Sequence, residues 1–232
     1  DNQIQETFIQ ETMLEDTSIS VNFSALDIDG DNLVFNAEAN NANLIIEDNS
    51  LTILPDNNFN GLLNIILSVS DGEFSDDTDF SVEVLPANDA PSIIQISDQQ
   101  INEDNSFSIN LSAVDIDGDQ VTFNAETDNQ ADVIISGNLM VVTPDSNFNG
   151  EIEVTVFAQD STLSSSMSFL INVLPTNDPP SFVQDFSSEM DEDSILAIAL
   201  TADDIDDDTL SFEANLENQA NASISLEKNI LT

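Results

Sequence analysis

A short acidic pattern returns three times in this chain. It reads Leu26-Asp27-Ile28-Asp29-Gly30-Asp31, then Val114-Asp115-Ile116-Asp117-Gly118-Asp119, then Asp203-Asp204-Ile205-Asp206-Asp207-Asp208. The copies stand roughly 90 residues apart, too long for a solenoid turn and right for a small β-sandwich. The chain therefore reads as a string of similar domains, each carrying carboxylates at one fixed place. It contains no Cys and no His. Clustered hard oxygen ligands on loops, without nitrogen or sulfur partners, point to calcium.

Charge narrows the partners. Forty-six acidic side chains stand against one basic one, Lys228, for a formal net charge of -45. Such a surface excludes direct binding to nucleic acid or to an anionic membrane. Self-repulsion at this level opposes compactness unless counter-ions relieve it. A solvated acidic coat, as in a salt-adapted protein, accounts for the charge but not for its recurrence in register. Without Cys there is no disulfide framework, and without His the usual acid–base residue is missing. Without Trp or Tyr the common sugar-stacking platforms are missing too. No apolar run is long enough for a transmembrane helix and no signal peptide is visible. The chain opens on Asp1 and reads as an internal piece of something longer.

Between the acidic loops, apolar and polar residues alternate with the two-residue period of half-buried strands. The first repeat offers Ile19/Val21/Phe23, Leu33/Phe35/Ala37, Leu44–Ile46, Leu51–Leu54, Ile65/Leu67/Val69 and Phe80/Val82/Val84. The second copies them as Phe107/Ile109/Leu111, Val121/Phe123/Ala125, Val133–Ile135, Leu139–Val142, Ile152/Val154/Val156 and Phe169/Ile171/Val173. A leading strand near Ile9 or Ile94 brings the number to about seven per repeat, as in an immunoglobulin-like Greek-key sandwich. Asn60-Gly61 and Asn149-Gly150 precede a strand where a tight hairpin wants positive φ, and Phe59 and Phe148 read as core plugs. Proline-flanked segments at 86–91 and 175–180 read as stiff linkers. The expected fold is all-β, with tandem sandwiches in a linear rod: repeat 1 over 1–90, repeat 2 over 91–180, and an incomplete repeat 3 over 181–232 that lacks its last strands. The apolar segment Ile4–Leu14 is left over as a candidate donor strand for a neighbouring chain.

Several motifs go together. They are the Glu-Asp pairs (Glu15-Asp16, Glu103-Asp104, Glu192-Asp193), the Asp-x-Asp loops, and Pro-Asp-x-Asn-Phe-Asn-Gly at 55–61 and 144–150. Val69-Ser70-Asp71-Gly72 and the Asn-Asp-x-Pro linkers complete the set. In these the chain resembles the cadherin-like tandem repeats of very large bacterial surface and secreted proteins. The resemblance implies calcium bound between successive domains. Its first ligand set is Glu15, Asn88, Asp89, Asp115, Asp117 and Asp160. Its second is Glu103, Asn177, Asp178, Asp204 and Asp206. Asp27, Asp29 and Asp71 then face a preceding domain. The family's Asp-Arg-Glu stretch is absent and Pro-Asp-x-Asn-Phe replaces it, and the resemblance lets Asp56 and Asp145 take over that ligand role.

The residues alone leave two other readings open. One is a self-contained loop in the EF-hand manner, with Glu38 or Glu126 as the distal carboxylate. The other is merely solvated acids. Paired Glu-Asp groups recur in every repeat and imply no catalytic cleft, so no enzyme is expected. The expected function is that of calcium-stiffened, non-catalytic spacer or adhesion repeats, extracellular or on the cell surface. Their partners are neighbouring repeats of the same or adjacent chains. Alternatives are a homopolymeric filament completed by strand donation and the stalk of a secreted enzyme.

Overall fold

The computed structural model describes residues 3–4, 11–128, 130–184, 188–217 and 223–232. All regular elements in them are strands, and no helix is long and apolar enough to cross a membrane. The chain gathers into two compact units. One holds residues 1–92 with 113–121 and 159–165; the other holds 93–112 with 122–158 and 166–232.

Among the described residues the two main sheets of the first sandwich hold seven strands: β1 (Glu11–Leu14), β2 (Ile19–Asn22), β3 (Val34–Ala39), β4 (Ala42–Glu47), β5 (Ser50–Pro55), β6 (Gly61–Ser70) and β7 (Ser75–Leu85); Gln3–Ile4 and Ala25–Leu26 form a separate pair. One sheet runs β1-β7-β6-β3 and the other β2-β5-β4. The chain changes sheet between β1 and β2, β2 and β3, β3 and β4, and β5 and β6, which makes the topology a Greek key. Strict alternation on β6 sends Leu63, Ile65, Leu67 and Val69 inward. With Leu51, Ile53, Val82 and Val84 they form a dry layer, each side chain contributing about 1.5–3 kcal/mol by leaving water.

The second sandwich repeats this with β8 (Gln99–Asn102), β9 (Phe107–Asn110), β10 (Thr122–Thr127), β11 (Ala131–Ser136), β12 (Leu139–Pro144), β13 (Gly150–Gln159) and β14 (Ser164–Leu174). Its sheets run β8-β14-β13-β10 and β9-β12-β11. Met140, Val142, Ile152, Val154, Val156, Ile171 and Val173 fill its core.

Three details differ from the sequence reading. A short strand, Ser92–Ile93, does stand beside Ile94, but the strand that enters the main sheet of the second sandwich is β8, further on, where Ile101 is the only large apolar residue. It pairs parallel with β14, just as β1 pairs parallel with β7. The backbone ladder holds this edge strand where apolar periodicity has almost nothing to show. Ile9 itself lies outside the described residues. The segment proposed as a donor is partly committed already, because Glu11–Leu14 is β1 and its Met13 is buried in the core of its own sandwich; residues 5–10 lie outside the described set.

Asn60-Gly61 and Asn149-Gly150 do not close hairpins. They end corners that carry the chain from one sheet to the other, β5 to β6 and β12 to β13. Positive φ is nonetheless required there: Asn58 and Asn147 sit at 57°, Gly61 at 134° and Gly150 at 142°. A Cβ on Gly150 would meet the Phe148 ring at 3.2 Å. Phe59 and Phe148 pack beneath these corners against the cores, as the sequence suggests.

In the third segment the regular structure is short. Ser181–Phe182 pairs with Ala202–Asp203, and Ile198–Ala199 joins Ile230–Leu231 and Leu226–Glu227. Leu200 is buried, while Leu196, Ile198, Leu210, Phe212 and Ile224 are half-exposed.

Candidate metal centre

The loops 113–121 and 159–165 belong to the second sequence repeat yet pack within the first compact unit. That unit therefore contains the whole first set of expected ligands. The second set lies wholly within the second unit.

Glu15 follows the last residue of β1. Its N–H donates to Leu85 O at the end of β7, which turns its side chain inward beneath the linker. The residue is 2% exposed. Its Oε1 accepts the Ala87 N–H at 2.7 Å and its Oε2 accepts the Asn60 amide at 3.3 Å. Asp89 comes two residues further along the same linker and donates its N–H to Asp117 Oδ2 at 2.8 Å. Carboxylate oxygens of Glu15, Asp89 and Asp117 lie within 4.8 Å of one another.

The acidic loop folds on itself. Asp115 Oδ1 accepts the N–H groups of Asp117 (3.1 Å) and Asp119 (3.0 Å), an Asx-type turn that Gly118 completes at φ 81°. Asp160 is pinned the same way. Its Oδ1 takes the N–H groups of Thr162 and Leu163 at 2.6 and 2.7 Å, and its Oδ2 takes the Asn88 amide at 3.0 Å. Those backbone donors, from Leu163 and Thr162 first, hold its carboxyl down at about 2.

Asp89 shows the opposite. Burial first, then the carboxylates of Asp16, Asp117, Glu15 and Asp115, push its carboxyl above the ordinary value. Its Oδ2 and the Oδ2 of Asp115 are buried without any hydrogen-bond partner. A buried anionic oxygen left unpaired is costly unless a charge or metal meets it.

The second unit repeats the arrangement. Glu103, 3% exposed, accepts the Thr176 N–H on Oε1 and the Asn149 amide on Oε2 at 3.5 Å. Asp178 donates its N–H to Asp206 Oδ2 at 2.6 Å. Asp204 Oδ1 closes the loop on the N–H groups of Asp206 and Asp208. Here Asp207 replaces the glycine and takes φ 60°. Asp178 is pushed upward by burial and by Asp104, Asp206, Glu103 and Asp204, and its Oδ2 is again orphaned.

The remaining expected ligands fall elsewhere. Asp27 Oδ1 accepts the Asp31 N–H, and Asp71 Oδ1 accepts those of Glu73 and Phe74, so this loop pair has the same internal shape. Asp56 and Asp145 are exposed and work through the main chain: their carbonyls accept the Phe59 and Phe148 N–H groups and close the corners. Neither is among the carboxylates that raise Asp89 or Asp178. Glu38 and Glu126 are exposed on strands β3 and β10. Two pairs were not foreseen. Asp16 and Asp104 add to the field on the linker aspartates, and Asn60 and Asn149 reach the buried glutamates. The Glu-Asp and Asn-Phe-Asn-Gly motifs, repeated in register, were the available signal.

The donor set fits calcium. Two oxygens bound to one calcium at 2.3–2.6 Å lie at most about 5 Å apart, as the Glu15, Asp89 and Asp117 oxygens do. The orphaned Oδ2 atoms of Asp89, Asp115 and Asp178 are further hard oxygens with no competing proton donor.

Residues 2–85 match the sequence model of the cadherin-like domain, and residues 88–172 that of the bacterial Ig domain. The chain carries a cadherin-like domain followed by a bacterial Ig domain. Domains of these families are typical of extracellular or surface proteins. No curated protein sequence matches the chain. Among solved structures, Drosophila N-cadherin EC1-4 is similar at 16% identity and TM-score 0.41 over 72% of this chain and 47% of that one. Human protocadherin-24 EC1-2 is similar at 18% identity and TM-score 0.38 over 68% and 88%. An endo-fucoidan hydrolase of glycoside hydrolase family 107 is similar at 21% identity and TM-score 0.32. That match covers 72% of this chain and only 27% of the hydrolase.

The two kinds of perturbed carboxyl make the pH response of these cadherin-like repeats two-sided. Asp89 and Asp178 titrate above 3.8 in the folded chain. Their destabilising effect is complete above the raised values and is relieved as pH falls through them. Asp160 titrates near 2, so its contribution is complete above 3.8 and is lost as pH falls from there toward 2. Calcium-free protein is therefore expected to melt at a higher temperature in mildly acid buffer than at pH 7, then to lose stability below about pH 4. A melting temperature that falls steadily from pH 7 downward contradicts this.

Proposed function

We propose that the chain is a run of calcium-stiffened, non-catalytic spacer or adhesion repeats from a large extracellular or surface protein. The proposed repeat boundaries are 1–90, 91–180 and 181–232. Glu15, Asn88, Asp89, Asp115, Asp117 and Asp160 hold calcium at the first linker, and Glu103, Asn177, Asp178, Asp204 and Asp206 hold it at the second. Asp27, Asp29 and Asp71 serve a repeat on the other side of the first. The observation that carries this reading is the pair of orphaned, buried carboxylate oxygens on Asp89 and Asp115, crowded by other carboxylates with no cation from the chain to meet them.

Calcium supplies two positive charges and accepts irregular oxygen geometry. The chain's own residues supply the rest. Glu15 and Ala87 tie the end of β1 to the start of the linker, Asp89 ties the linker to Asp117, and Asn88 ties it to Asp160. Without a cation these ties work against several like charges, so the linker is expected to loosen. Small-angle scattering in millimolar calcium should give a narrower distribution of intramolecular distances than in chelator. Superimposable curves in the two conditions sink the reading. The filament alternative is weakened by the use of Glu11–Leu14 in its own sheet, and no observation favours the enzyme stalk.

A further inference from the structure

We propose that Asn60 and Asn149 are positioning residues for the two carboxylate clusters, holding the buried glutamates in place with neutral amides. This rests on the calcium reading above and extends it to residues outside the ligand sets.

The geometry is reciprocal. Asn60 donates its amide to Glu15 Oε2 at 3.3 Å, while Asp16 Oδ1, from the next residue, accepts the Asn58 N–H at 3.1 Å. The Glu-Asp pair and the Asn-Phe-Asn corner therefore clasp each other across more than forty residues of chain. The second unit reproduces the clasp: Asn149 to Glu103 Oε2 at 3.5 Å, and Asn147 N–H to Asp104 Oδ1 at 3.1 Å. All four residues at the pinned positions adopt left-handed backbone, with Asp16 at 56°, Asn58 at 57°, Asp104 at 59° and Asn147 at 57°. Left-handed backbone is uncommon outside glycine and is best tolerated by Asn and Asp.

A glutamate side chain has a soft terminal torsion. Donors on both oxygens remove that freedom: Ala87 holds Oε1 of Glu15 and Asn60 holds Oε2. Each oxygen keeps a second acceptor position, so the carboxylate stays available to Asp89, Asp117 and whatever cation joins them. The donor's neutrality matters. An arginine or lysine there would fix the carboxylate equally well but cancel its charge and compete with a dication. An amide orients without neutralising, and neither clasp contains a basic residue.

The test is calorimetric titration of calcium into the full 232-residue chain, wild type against Asn60→Ala and Asn149→Ala, with calcium-free melting curves alongside. Each variant is expected to lose about tenfold or more in affinity in one class of sites and to leave the other class unchanged, in line with the usual effect of residues behind the ligands. Where the alanine variant does not fold, Asn60→Ser keeps a small polar corner residue that is too short to reach Oε2, and is held to the same expectation. Unchanged calcium affinity with a lowered calcium-free melting temperature makes the amide merely structural and overturns the proposal alone. A wild-type chain that takes up no calcium overturns both this proposal and the reading beneath it.

Discussion

Chelating calcium from this chain is expected to lower its melting temperature by about 10–20 °C. Free ligand at a hundredfold excess over its dissociation constant stabilises a folded protein by about 2.7 kcal/mol per site. A domain near 90 residues shifts by about 4–8 °C per kcal/mol. The shift should be large because the calcium-free state is penalised at the same point. Asp89 and Asp178 are half-buried carboxylates pushed upward by burial and by four acidic neighbours each. Adding magnesium at equal concentration should restore little, since it demands near-octahedral geometry and sheds water reluctantly. Differential scanning calorimetry in calcium, magnesium and chelator checks this. Coincident transitions in all three would remove the metal from the account of stability.

Asp117→Asn is expected to separate metal binding from folding. The asparagine carbonyl can still accept the Asp89 N–H that Asp117 Oδ2 takes at 2.8 Å, so the linker keeps its tie, and the turn itself is held by Asp115. What disappears is one negative charge and one strong ligand of the three oxygens gathered within 4.8 Å. Calcium affinity at that site should fall by about a hundredfold, or about 2.7 kcal/mol, with the Asp178–Asp206 site untouched. Calcium-free stability should stay level or rise, because a like charge beside Asp89 has gone. The linker variant Asp89→Ala should weaken the same site. A self-contained acidic loop predicts no effect there, so preserved affinity in Asp89→Ala would return the calcium to Asp115, Asp117 and Asp119 alone.

The strands that build the cores were legible because alternation is local. Ile65, Leu67 and Val69 on β6, and Ile152, Val154 and Val156 on β13, state their own inward face in five residues each. The acidic loops were legible for the same reason. Asp-x-Asp-Gly-Asp encodes a turn whose first carboxylate caps its own backbone, and Asp115 does this to Asp117 and Asp119. The residues grouped at each linker came from resemblance; the structure gathers carboxylate oxygens of Glu15, Asp89 and Asp117 and joins Asp178 to Asp206.

Contacts made over long separations were decided only by the tertiary structure. Gln99–Asn102 becomes a strand because β14 offers it a parallel ladder, and a lone Ile101 could not announce that. The corners at 55–61 and 144–150 looked like hairpin turns because a glycine pattern records positive φ, not which sheet comes next. Asp56 and Asp145, the acidic residues of those corners, close them through their carbonyls, and Asn60 and Asn149 donate their amides to the buried glutamates. Sequence by itself determined which segments alternate as core strands, which loops carry charge and which metal chemistry is possible, since each depends on residue type and short spacing. Which carboxylate oxygens end up buried without a partner on Asp89, Asp115 and Asp178 depends on where folded backbone N–H groups happen to point, and only the packed chain decides that.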